Sequence, residues 1–173
     1  MNNISLKVSA GLLLMLFWSG QGVNADPTPA TALAATATPT QNLVEQVITA
    51  NPDMLDVLFH VTPPGEARNI VIAAHLRHAI GELSGDDDLG VMNTGKPIVE
   101  VQKDGIRIGV LVPLHDRTGK SIGALGLMYP YHAGDDQMAI LRRSIGIRDR
   151  LAAKIPTIGS LFSQKPSLEP ARN

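Results

Sequence analysis

The chain has 173 residues, a formal net charge of −1, no Cys and only 3% aromatic residues. That length suits one ordinary domain with a tail at each end. The missing Cys excludes disulfides, thiolate metal sites, a Cys nucleophile and a lipidated N-terminal Cys, and the near-neutral balance argues against nucleic acid as a partner, because neutralising phosphates needs a basic excess.

Met1 to Lys7 is a short polar start with one positive charge, Val8 to Trp18 is almost wholly apolar, and Ala25 supplies a small residue beyond it. This is the three-part pattern of a secretory leader. An apolar run of ~11 residues is too short for a spanning helix of ~20. Residues 1–25 are therefore expected to be a signal peptide, leaving a periplasmic or secreted protein with no transmembrane segment. Residues 26–40 are dominated by Pro, Thr and Ala, without a hydrophobic period, and read as a linker.

The domain is expected over residues 41–156. Thr40 is placed to cap a helix starting at Gln41, with Leu43, Val44, Val47 and Ile48 on one face, stopped at Asn51-Pro52. Val57, Phe59 and Val61 alternate with Leu58, His60 and Thr62, predicting a strand. Pro63-Pro64-Gly65 turns the chain into a second β-branched run, Asn69 to Ala74, so the two form a hairpin. The following residues, through His75 and His78, read as irregular chain. Residues 81–95 read as an acidic surface loop, with a short helix near Asp87 to Met92.

Three strands are expected next: 97–103, 106–114 and 121–131. Asp104-Gly105 and the Asp116 to Lys120 segment supply the two turns. Ile106, Ile108, Val110, Val112 and Leu114 fall on one face of the middle strand. Gly109, Gly123 and Gly126 lie inside strands, where glycine marks a bend or a close backbone approach. Asp135 or Asp136 then caps a helix over 137–155 whose apolar face is read as Met138, Leu141, Ile145, Ala152 and Ile155, widened by Ile147 and Leu151. Pro156 stops it, and 157–173 read as a loose tail. The fold class is α+β: a five-stranded antiparallel sheet with an N-terminal and a long C-terminal helix.

Lys96 to Tyr129 contains K-P-I-V-E-V, then D-G-I-R-I-G-V-L-V-P-L-H-D-R-T-G-K-S-I-G-A-L-G-L. A strand ending V-P-L-x-D, a turn x-x-G-K and a strand x-I-G-x-L-x-L resembles the core of bacterial extracytoplasmic Cache domains, which are PAS-like. The resemblance spans Val57 to Tyr131. It implies a half-open sheet whose face and covering loop hold a small molecule, such as an amino acid, carboxylate, amine or purine.

The chemistry-bearing residues form no familiar catalytic set. His75 and His78 stand three apart and converge on a metal only in a helix, and no H-E-x-x-H occurs. His115 and Asp116 are strand neighbours pointing to opposite faces, so Asp116 reads as a turn residue bonding its own backbone. There is no G-x-S-x-G, and Asp86-Asp87-Asp88 lacks the calcium-loop spacing. The expected ligand contacts are His75, Arg107, His115, Tyr129 and Tyr131. Arg107 opposite an aromatic would clamp an anionic or amino-acid-like ligand through its planar fork. No cofactor, metal or catalytic residue is expected. The leading reading is an exported small-molecule-binding or sensory module without catalysis, presenting its state to a membrane receptor or transporter. A second is a protein-interaction accessory module of a receptor, transporter or signalling complex. A third is a metal- or His-dependent enzyme.

Overall fold

The computed structural model describes residues 38–163. The expected signal peptide, most of the linker and the end of the tail lie outside the described residues. Helix α1 is Pro39–Ala50, β1 is Asp56–Val61, β2 is Ile70–Ala74, α2 is Asp86–Thr94, β3 is Ile98–Val101, β4 is Arg107–His115, β5 is Ser121–Pro130 and α3 is Gln137–Ala152. Short 3-10 turns occupy Arg77–Ala79 and Ile158–Leu161.

The strands form one antiparallel sheet in the order β2-β1-β5-β4-β3. The last strand in sequence therefore sits at the centre, between the first and the fourth. Period-two alternation decides the faces. Val57, Phe59, Val61, Ile108, Val110, Val112, Leu114, Leu125, Leu127 and Tyr129 are buried in one core. Val44 and Val47 of α1, with Ile147 and Leu151 of α3, belong to the same cluster. Helix α2 packs against β4 and β5 from the other side, where Ser121 Oγ donates to the Met92 carbonyl at 3.2 Å.

Several elements begin or end differently from the sequence expectation, each for a local reason. Thr38, rather than Thr40, caps α1: its Oγ1 accepts from Gln41 N at 3.1 Å, and Pro39 takes the first helical position, where a missing N–H costs nothing. Thr40 is buried, and its hydroxyl donates to the Leu161 carbonyl at 2.6 Å. That bond ties down residues 158–161, inside the stretch that the sequence pattern assigns to a loose tail. Gln41 is also buried; its amide exchanges two bonds with Ala74, donating to O at 3.0 Å and accepting from N at 3.3 Å. These bonds satisfy edge-strand groups that would otherwise stay open.

Ile106 belongs to the turn before β4 and is 66% exposed, so it leaves the apolar face assigned to it. Gly105 adopts φ +70°, and the Ile106 N–H bonds back to Asp104 Oδ1 at 3.1 Å. At the next turn Asp116 Oδ1 accepts from Thr118 N, Thr118 Oγ1 and Lys120 N, as its turn role requires. Those bonds, led by the Thr118 hydroxyl, hold its carboxyl below the usual carboxylate range.

The buried face of α3 runs through Ser144, Ile147 and Leu151, capped by Asp136, whose Oδ1 accepts from Ala139 N. Met138 is 56% exposed. Ile147, Leu151 and Ile155 are buried as the sequence pattern expects, with Leu141 and Ile145 packed against the same core, while Ser144 takes a place within that apolar stripe. That hydroxyl bonds to Tyr129 OH at 2.9 Å and donates to the Ile140 carbonyl, so a serine is stable there.

Candidate functional site

The sheet face opposite α1 and α3 is only partly covered. Leu58 and His60 of β1, Gly126 and Met128 of β5, Gly109 and Leu111 of β4, and Ile98 and Glu100 of β3 line a half-open cavity of about 210 Å³, together with Gln102, whose Nε2 would stand 3.1 Å from a Cβ on Gly109. Its size approaches the lower end of small-ligand pockets, roughly 300 Å³. The space exists because of two glycines. Gly109 pairs with Met128 and Gly126 with Leu111, so two positions without side chains lie diagonally across adjacent strands. A Cβ on Gly126 would stand 3.4 Å from His60 Nε2 and 3.5 Å from both Leu111 and Leu58. The floor at this point is bare backbone, with His60 Nε2 at its edge.

His60 is the buried ionisable group of the cavity, with 10% of its side chain exposed. Burial pushes its pKa below the ordinary 6.5, against the opposing pull of Asp88 and Asp56. Its Nδ1 lies 3.0 Å from Ser84 Oγ and 3.4 Å from Asp88 Oδ2. Ser84 Oγ donates to Asn69 Oδ1 at 2.5 Å, and Asn69 Nδ2 faces Thr62 Oγ1 at 3.2 Å and Met92 Sδ at 3.7 Å. A Ser beside a His invites a nucleophile reading, but the proton is directed elsewhere. A nucleophilic Ser donates to its His base, whereas Ser84 donates to Asn69. Among the described residues, no group of three or more His, Asp or Glu could hold a metal ion.

The residues singled out by sequence do not gather at this cavity. His75 follows β2 and lies 4.0 Å from Glu45 of α1. Arg107 is half-exposed at the start of β4 and pairs with Asp104 at 2.5 Å, so the turn engages its guanidinium. His115, at the other end of the same nine-residue strand, meets Arg148 at 3.4 Å. Burial and the Arg148 charge hold its pKa below the ordinary 6.5. Tyr129 belongs to the core beneath α3, where burial pushes its hydroxyl above the ordinary 10.0 and Arg143 stacks 5.2 Å from the ring centroid. Tyr131 is buried as well, and its hydroxyl accepts from Gln137 at 3.4 Å. Both Tyr thus serve the helix-covered side of the sheet. His60, Glu100 and Gln102 of the cavity were not among the ligand contacts expected from sequence. The signal that pointed to them was the pair of strand glycines, Gly109 and Gly126.

No protein-family model matches the chain, and no curated protein matches it. Solved structures do. The GAF domain of A. aeolicus nlh2, in an inactive state, is 10% identical with a TM-score of 0.52, over 69% of this chain and 86% of that one. The fold is GAF-like. A putative GAF sensor protein from Burkholderia vietnamiensis is 15% identical with a TM-score of 0.48, over 78% of this chain and 82% of its own. A type II free methionine-R-sulfoxide reductase from Thermoplasma acidophilum is 18% identical with a TM-score of 0.48, over 73% and 93%. The GAF-like architecture agrees with the α+β, PAS-like plan expected from sequence. The narrower Cache type drawn from Lys96 to Tyr129 is not what this likeness supports.

Proposed function

We propose that this chain is a small-molecule-binding sensory domain, without catalysis, that takes its ligand on the open sheet face formed by β1, β5, β4 and β3. The cavity floored by Gly109 and Gly126 carries this reading. A sheet face meant only for packing would fill such positions with side chains, as the opposite face does with Val, Leu and Ile. The GAF-like fold supports a sensory role. The Ser84 proton, directed to Asn69, speaks against a serine nucleophile here. The anionic ligand first expected from Arg107 gives way, because no Lys or Arg lines the cavity and Glu100 does. Export to the periplasm or beyond, and signalling to a membrane receptor or transporter, are parts of the same proposal and rest on the leader pattern of residues 1–25. Among the described residues no helix is long and apolar enough to cross a membrane.

Thermal-shift screening against a metabolite panel tests the binding reading. At least one compound should raise the melting temperature of the native protein and lose that effect when Gly126→Leu fills the floor. Absence of any stabilising compound, or stabilisation that ignores Gly126→Leu, refutes it. For export, sequencing the N-terminus of protein from the periplasmic fraction should read from Asp26. Recovery only from the cytosol, starting at Met1, refutes that part.

A further inference from the structure

We infer that His60 Nε2 is a fixed hydrogen-bond acceptor in the cavity, so that the site selects uncharged or cationic ligands presenting an N–H or O–H and rejects anions. The inference rests on the binding reading above and adds the chemical class of the ligand.

Met92 Sδ accepts hydrogen bonds and has no proton to give. The Asn69 atom that faces it at 3.7 Å is therefore the amide nitrogen, and the carboxamide has one orientation. Asn69 Oδ1 is then the atom facing Ser84, 2.5 Å away. An amide oxygen only accepts, so the Ser84 hydroxyl proton points at Asn69. Ser84 Oγ has lone pairs left for its other neighbour, His60 Nδ1 at 3.0 Å, and Nδ1 must carry the proton of that bond. The second group near Nδ1, Asp88 Oδ2 at 3.4 Å, is also an acceptor and supports the same tautomer. A neutral imidazole protonated on Nδ1 leaves Nε2 with a bare lone pair. That lone pair belongs to the nitrogen 3.4 Å from the vacant Gly126 Cβ position, on the cavity floor.

The surroundings enforce the same choice of ligand. Glu100 and Gln102 belong to the lining, and the rest of it is Leu, Ile, Met, Val and Gly. The carboxyl groups near the imidazole are Asp88 on α2 and Asp56 at the start of β1, neither of which lines the cavity. An anion would meet the Nε2 lone pair and the Glu100 carboxylate. A molecule with a donor would satisfy Nε2, and the apolar lining would cover the rest of it.

Matched probes test this. Indole carries one N–H donor, benzofuran has the same shape without it, and benzoate carries a negative charge. Titrations of the full chain near neutral pH, followed by protein NMR shifts, should show indole binding about tenfold tighter than benzofuran, the value of one well-made buried hydrogen bond, with benzoate weakest. His60→Phe should erase the difference between indole and benzofuran. Equal binding of those two by the native protein overturns the inference and leaves the binding reading standing; tighter binding of benzoate also overturns it. If none of the three binds and the metabolite panel fails too, the binding reading itself falls. One measurement needs neither a variant nor a probe: the imidazole nitrogen shifts of His60 should report a protonated Nδ1 and an unprotonated Nε2. A protonated Nε2 at neutral pH overturns the inference directly.

Discussion

Adding one methyl group at Gly123 should destabilise the protein far more than the same change three residues along β5. A Cβ built on Gly123 would stand 2.2 Å from the His60 carbonyl oxygen and 3.0 Å from Val61 Cγ2. Carbon and oxygen need roughly 3.3 Å, so the two strands must separate by about 1 Å. The obstacle is main chain in the middle of the sheet, where β1 pairs with both β2 and β5, so no side chain can rotate away. Moving a cross-strand bond from about 2.9 Å to about 3.9 Å takes it out of hydrogen-bond range. Losing one or two such bonds, at about 1 kcal/mol each, adds to an overpacking cost of 1–3 kcal/mol. Gly123→Ala should therefore cost about 3 kcal/mol, or roughly 10 °C in Tm for a domain of this size. Gly126→Ala meets nothing closer than 3.4 Å and should cost less than about 1 kcal/mol while reducing ligand binding. Urea unfolding of both variants, followed by circular dichroism, decides the matter. Equal stability of the two would refute the close approach of β1 and β5 that the argument needs.

Tyr129→Phe removes the hydroxyl that meets Ser144 Oγ at 2.9 Å but leaves Ser144 bonded to the Ile140 carbonyl, so a loss of about 1 kcal/mol is expected in urea unfolding. A loss above about 3 kcal/mol would mean that the ring itself had moved. Stability should also fall on acidification. His60 and His115 are held below 6.5 in the folded protein, mainly by burial, so the unfolded chain takes up protons first as the pH drops. The stability that these neutral rings contribute is complete above 6.5 and is lost as the pH falls through their folded values. Urea midpoints measured from about pH 8 to about pH 5 should decline, and less steeply in His60→Gln; an unchanged slope in that variant counts against His60 as a source. Raising the salt concentration should weaken the exposed Arg143–Asp53 pair, at 2.6 and 2.7 Å, by no more than about 1 kcal/mol.

The sheet could be read from sequence because its signals are local. The alternation of Ile108, Val110, Val112 and Leu114 and the Asp104-Gly105 and Asp116 to Lys120 turns each fix a short piece of backbone, and together they fix the meander. The burial of Ser144 on the last helix was not legible, because it depends on Tyr129, a residue on another element. The site was hidden for a related reason. His75, Arg107, His115, Tyr129 and Tyr131 carry recognisable side-chain chemistry, whereas a cavity is made by what is missing. Gly109 and Gly126 could be recognised as unusual. Which face they opened, and that His60 bordered it, depended on strand order: β1 lies beside β5, more than sixty residues later in the chain.

That strand order constrains how the chain can come to be folded. β1–β2 and β3–β4 are hairpins that can close early, but nothing joins one to the other except β5. A chain emerging N-terminus first would carry two unjoined ribbons, each with an open side, until residues 121–130 arrive. The half-made sheet would be sticky, and the proposed binding face would not yet exist, since Gly126 and Met128 come with the last strand. If the protein crosses a membrane from its N-terminus, it remains threadable for most of its length and becomes a folded, ligand-competent object only when passage is nearly complete.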